Sequence, residues 1–462
     1  MVPAFLNSPA LTVASLLLLP APLRAAVLDD ADLRHASRAL PSATDVAGAQ
    51  VGLRTEFGAR VAISQPDLPS PSGGPARLAV AAPSAIVDGA QRGRVDLFQL
   101  SLPDSPSGAP RPVSRTSLTA RSLSEGARFG AALSWSGNWL AVGAPNANSR
   151  GGARAGLVRV FRVGSSPGGP IPVRLDVELE PEGGAEGGAF GSSIAWSSDG
   201  KSLAVGAPFT RGVDGTPFAG AVHVFHRDGE GWTRSRVLSM SEPAVAATFG
   251  HALIWAGEVL VVGAPGEGSL APGAGRIFGF FAEGTSGEPA WSLGPAHGHG
   301  GATGAAGSRF GEALASDGST SLVVGIPGRG AVEVLEVTGS GRPPRHRAVL
   351  QGDAVSAFGR SVAMGPSGMR LLVGAPSAAG VGPNSKPAAG AVYAFERTRG
   401  GWRSCGSLGS VWPAAFGEFG LAVSLVTLEH GRSVAVAGEP GADLTAGGGR
   451  GGGAGAASVL SW

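Results

Sequence analysis

Apolar residues recur along this chain in short runs that repeat in a fixed order. A Phe-Gly dipeptide stands at Phe57-Gly58, Phe129-Gly130, Phe190-Gly191, Phe249-Gly250, Phe310-Gly311, Phe358-Gly359 and Phe419-Gly420. Four and six residues beyond the Phe lie Val61/Ile63, Leu133/Trp135, Ile194/Trp196, Leu253/Trp255, Val362/Met364 and Val423/Leu425, with Leu314 and then Ser316 in the fifth unit. A spacing of two puts such residues on one face of a strand. A second, continuously apolar run follows and ends in Gly-Ala-Pro or a variant of it, at Pro83, Pro145, Pro208, Pro265, Pro327, Pro376 and Pro440. The third run reads GRVDLF, GLVRVF, GAVHVF, GRIFGF, GAVEVL, GAVYAF and AASVL in turn. A fourth is visible in several units, as in WTRSRVLS from Trp232, RHRAVLQ from Arg345 and WRSCGSL from Trp402. Asp199-Gly200, Asp317-Gly318 and Ser367-Gly368 separate runs and favour tight hairpins. No segment sustains helical spacing.

Each unit therefore predicts four short antiparallel strands, and there are seven units. A lone four-stranded sheet cannot bury both faces, whereas sheets packed face to face in a ring bury them all. The expectation is an all-β chain forming one seven-bladed β-propeller over 27–462, with blades starting near 57, 129, 190, 249, 310, 358 and 419. The last unit stops at its third strand, so its fourth must come from elsewhere. The segment 35–40, HASRAL, resembles the fourth runs and is expected to close the ring as an N-terminal strand in the last blade.

Phe-Gly followed by Gly-Ala-Pro at this spacing resembles the FG-GAP repeat, best known from the propeller of integrin alpha subunits. The resemblance covers about 35–462 and implies the propeller fold; it implies function only weakly, because one fold hosts many functions. One departure is chemical. Several integrin blades carry an Asp-rich calcium loop before the Gly-Ala-Pro strand, and calcium needs six to eight oxygens. Here the corresponding loops hold at most one carboxylate each, namely Asp67, Asp199, Glu258, Asp317 and Glu429. No metal and no other cofactor is expected, and the chain does not read as an integrin subunit.

Composition fits many strands joined by turns: of 462 residues, 77 are Gly and 35 Pro, yet 43% are apolar. That is too hydrophobic for a disordered chain. Lys and Arg number 36 against 34 Asp and Glu, which gives no electrostatic case for nucleic acid. Lys201 and Lys386 are the only lysines. A single cysteine, Cys405, excludes an intramolecular disulfide and argues against a cysteine zinc site. Residues 10–19, ALTVASLLLL, are too short to span a bilayer and suit a secretory signal over 1–26, cleaved near Ala25 or Ala26. The expected setting is extracellular, with no membrane span and a monomeric chain.

Candidate chemistry is sparse. Gly200-Lys201-Ser202 matches the end of a phosphate loop, but Ala195 stands where its first Gly belongs and a hairpin surrounds it. His297 and His299 have no visible third metal ligand. His223 and His226 are three apart on a strand, hence on opposite faces. Trp135, Trp196 and Trp255 share one register and read as blade-to-blade packing. What remains is the loops between second and third strands, 84–92, 146–154, 209–219, 266–274, 377–389 and 441–455. In propellers of this family they share a face with the loops from fourth to first strands, and loops held by a rigid scaffold commonly carry function. The candidate binding residues there are Arg92, Arg150, Arg154, Arg211, Arg329 and Lys386, since Arg suits bidentate contacts to carboxylate, sulfate or phosphate. The sequence thus reads as a secreted, non-catalytic binding or adhesion module for an extracellular protein or an anionic glycan. The alternatives are a matrix-active lyase or hydrolase, disfavoured by the lack of an acid/base cluster, and a purely structural repeat protein.

Overall fold

The computed structural model describes residues 24–29, 55–64, 76–101, 111–166, 169–182, 185–229, 231–282, 287–295, 306–339, 341–381, 386–410, 413–427, 433–442 and 455–461. They form seven four-stranded antiparallel sheets arranged as a β-propeller. Blade two runs Ala132–Ser136, Trp139–Ala144, Leu157–Val163 and Val173–Leu179, paired in chain order from the axis outward. The other blades repeat this order. Among the described residues the helical element is one 3-10 turn, Pro327–Arg329. It replaces the loop between the second and third strands of blade five, which explains why the fifth Phe-Gly interval is the shortest.

The ring closes within blade seven, where strands Ala422–Thr427, Ser433–Glu439 and Ala456–Ser461 take an N-terminal strand on their outer edge. That strand is Arg24–Asp29, antiparallel to Ala456–Ser461 from Arg24 opposite Ser461 to Asp29 opposite Ala456. The expected donor, 35–40, lies outside the described residues, and its place on that edge is taken by the earlier segment. RAAVLD is apolar at its centre and reads as an edge strand as well as the tail of a leader. The cleavage site expected at Ala25 or Ala26 falls inside it.

The recurrent glycines and phenylalanines make one joint, repeated at the blade boundaries. Each Phe of the seven dipeptides is completely buried or nearly so. At five of the boundaries its amide bonds back to the preceding blade, as in Phe190 N–H to Ala155 O at 2.8 Å and Phe249 N–H to Ala219 O at 3.0 Å. The following Gly has positive φ throughout, from 85° at Gly420 to 97° at Gly130. Its carbonyl presses on the Gly of the preceding blade's Gly-Ala-Pro: a Cβ on Gly143 would sit 2.0 Å from Gly191 O, and one on Gly438 1.9 Å from Gly58 O. The last example joins blade seven to blade one, so the closing boundary has the same construction as the others. Blade one carries Ala81 where other blades have that Gly, and the Ala81 side chain faces Gly130.

Apolar packing follows the same plan. Seven buried clusters each combine two neighbouring blades; one joins Val61, Leu78 and Phe98 to Val434, Val436 and Val459 across the closing boundary. Trp135, Trp196 and Trp255 lie in this packing and donate to the preceding blade's inner strand, to Ala62 O at 3.1 Å, Ser134 O at 3.2 Å and Ala195 O at 3.3 Å. A buried indole needs such an acceptor.

Candidate binding face and axial well

The antiparallel order puts the start of each first strand, the end of each second and the loops between second and third strands on one face. The six basic residues named from the sequence all lie there, spread over five blades, and the structure does not gather them into one patch. Arg92 is engaged internally, donating to Leu123 O at 2.9 Å and to Val87 O, and it holds the small hairpin of Ile86–Val87 and Ala90–Gln91. Arg150 faces Glu180 at 3.2 Å, and Arg211 donates to Gly215 O at 3.3 Å. Arg154 and Lys386 are exposed, and Arg329 is half-buried.

Two features of this face escaped the sequence reading. The first is apolar. Of the eleven large apolar side chains that stand exposed among the described residues, eight lie in its loops: Phe209, Val213, Phe218, Val245, Leu270, Val355, Val381 and Phe416. Phe209 and Phe218 meet edge to face with ring centroids 6.0 Å apart.

The second is a well at the centre. The residue before each Phe and the second residue after it belong to the inner rim, and charged residues cluster at these positions: Glu56, Arg128, Arg309 and Glu418 before the Phe, and His251, Glu312 and Arg360 after it. Arg60 follows one position later in blade one. A cavity of about 240 Å³ is lined by Glu56, Arg60 and Arg128 with Arg360 and Glu418, and by Ala59, Ala131, Leu421 and three residues of the second-strand ends. Residues of blades one, two, six and seven can share a cavity only near the ring axis.

The charges in the well are unevenly matched. Arg128 pairs with Glu56 at 3.3 Å. Buried Glu312 takes Arg309 at 2.7 Å, Arg360 and, at 3.5 Å, His251 Nε2. Arg60 makes no ion pair among the described residues; its Nη1 donates to Ala59 O at 2.8 Å. Burial lowers its pKa, and Arg128 lowers it further against the pull of Glu56. Burial first, then Arg60 and Arg309, bring Arg360 down to about 10. Burial and the guanidiniums of Arg360, Arg309 and Arg60 bring His251 down to about 4, so it stays neutral near pH 7 and the neighbouring Glu312 charge goes to the arginines. Arg60 is exposed to solvent on the wall of the well, although the atoms crowded around it lower its pKa. The well is therefore an electropositive recess suited to an anion.

The remaining sequence candidates have local roles. Asp199 Oδ1 accepts from Ser197 Oγ at 2.5 Å and Lys201 N–H at 3.0 Å, which lowers its pKa, and Asp317 Oδ1 accepts from Ser319 and Ser321 amides. These carboxylates serve turns. His223 packs edge to face on Phe190 at 5.2 Å, and burial, with Arg234 adding to it, lowers its pKa to about 4. His226 lies instead beside Ser202 Oγ at 3.3 Å. Burial raises the pKa of Cys405. His297 and His299 lie outside the described residues. In blade seven Glu439 stands where the Gly-Ala-Pro motif has Ala; burial pushes it up to about 8, with one oxygen accepting from Ser410 Oγ at 2.6 Å.

Compared with known proteins, the chain matches no family model and no curated sequence.

Proposed function

We propose that this chain is a secreted, non-catalytic recognition module that engages an extracellular protein through the face carrying the loops and the axial well. The observation that carries the reading is the placement of the exposed apolar side chains: among the described residues eight of eleven share that face, while the lateral strands and the opposite face hold three. Large apolar side chains exposed on one face beside polar residues favour a protein contact there. The Phe-Gly and Gly-Ala-Pro joint adds the FG-GAP resemblance, whose integrin members use such propellers in adhesion. The second reading is an anionic-glycan binder, favoured by Arg154, Arg211 and the other exposed cations around the rim.

The test is equilibrium binding of the purified chain to a panel of recombinant extracellular proteins and anionic glycans, with and without calcium. Two variants accompany it, one with Phe209 and Phe218 changed to Ser and one with Arg150, Arg154 and Arg211 changed to Glu. Saturable protein binding, insensitive to chelator and lost in the Phe variant, is expected. Glycan binding lost only in the Arg variant would transfer the assignment to the second reading, and substrate turnover would overturn both.

A further inference from the structure

We infer that the axial well binds a single carboxylate, presented by an Asp or Glu side chain of a protein partner, with Arg60 as its principal contact. The inference rests on the loop face being a protein-binding surface and names what the centre of that surface takes.

The well's other guanidiniums are ion-paired, Arg128 with Glu56 and Arg360 with Glu312, whereas Arg60 makes no ion pair among the described residues and donates to a backbone carbonyl, with the Glu56 charge acting on it from further away. A guanidinium that makes no ion pair and is exposed on the wall of the well can take an incoming carboxylate without breaking an existing pair. The guanidinium fork matches a carboxylate in bidentate geometry. The size of the cavity, about 240 Å³, fits one carboxylate and its short methylene stem better than a polymer strand. Ala59, Ala131 and Leu421 supply apolar wall for that stem. Glu56 and Glu418, also in the wall, oppose a second negative charge, which selects a monocarboxylate over phosphate, sulfate or a polysulfated chain. The backbone before the Phe is left-handed at Glu56, Arg128 and Glu418, but Ala189 and Ala357 share that conformation, so it belongs to the blade joint and is no part of this argument.

A protein is the source that the surroundings favour. Val213, Val245, Leu270 and Val355, exposed in loops of the same face, offer nothing to sugar hydroxyls and suit the apolar contacts of a protein interface.

Saturation-transfer NMR tests this with N-acetylglutamate N-methylamide as probe, against its glutamine isostere, glucuronate and inorganic sulfate. The wild-type chain is expected to give a saturable signal with the glutamate compound, about tenfold or more weaker with the isostere, and no displacement by equimolar sulfate. Arg60→Gln should abolish the signal and Arg60→Lys, which keeps the charge without the fork, should retain part of it; thermal melts verify that both variants are folded. Equal binding of the isostere, or a signal unchanged in Arg60→Gln, overturns the assignment. Preference for glucuronate overturns the protein source. If the glutamate probe fails while the Phe209 and Phe218 changes still abolish protein binding, the well assignment falls and the binding face stands.

Discussion

At the residue scale, the glycines and the residues before the phenylalanines oppose one another in an informative way. Gly143 and Gly191 meet too closely for any side chain, so Gly143→Ala is expected to cost about 3 kcal/mol or more by forcing two blades apart. Ala357, by contrast, is held at φ 54° with no glycine to relieve it. Ala357→Gly should therefore be neutral or stabilise by about 0.5–1 kcal/mol in chemical denaturation. Both substitutions change one methyl group, and their opposite signs test the joint. Titration adds a second residue-level expectation. Glu439 has its pKa raised to about 8, so its contribution to stability is complete below its unfolded value of 4.5 and is lost as pH rises through 8. His223 and His251 have theirs lowered to about 4, so their contribution is complete above 6.5 and is lost as pH falls through 4. Together these groups place maximum stability near about pH 6.5. Glu439→Gln should remove the alkaline decline and raise stability at pH 8 by an amount on the order of a few kcal/mol.

At the scale of elements, the closing strand determines how the chain tolerates processing. A chain beginning at Val27 keeps Val27–Asp29 opposite Ser458, Ala457 and Ala456 but loses the three pairs made by Arg24, Ala25 and Ala26. Its melting temperature is expected to fall below that of the chain that retains Arg24; thermal melts of the two purified chains, each verified by N-terminal sequencing, measure the difference. The inner strands of the blades were legible because most are bracketed by a glycine of the joint, with Ala81 in blade one as the exception, so the motif marks its own boundaries. The closing strand lacks that mark. Neither Arg24–Asp29 nor the segment 35–40 carries a Phe-Gly or Gly-Ala-Pro, and resemblance to the fourth runs selected the later one. Outer strands meet few constraints, which makes their sequences poor guides to register.

At the scale of the whole molecule, the ring converts distant positions into neighbours. Arg60 and Arg360 stand 300 residues apart in the sequence and line one cavity because the axis is shared by all blades. Basic residues of the long loops, such as Arg150, Arg154 and Arg211, are readable one by one in the sequence and lie away from the well's lining. The signal for the well was charge at fixed offsets from each Phe, as in Glu56, Arg128, Arg309, Glu312, Arg360 and Glu418, and it becomes visible only when the units are stacked in register. The exposed apolar side chains are a similar case, since Phe209, Val355 and Phe416 look unremarkable singly and gain meaning from sharing one face.

The most direct test of that face is hydroxyl-radical footprinting of the chain with and without a protein captured from the panel. Protection is expected at Phe209, Phe218 and Phe416, with Met369 on the opposite face and Leu175 on a lateral strand oxidised as before. Protection at Met369 or Leu175, with the loop phenylalanines unchanged, would contradict the account.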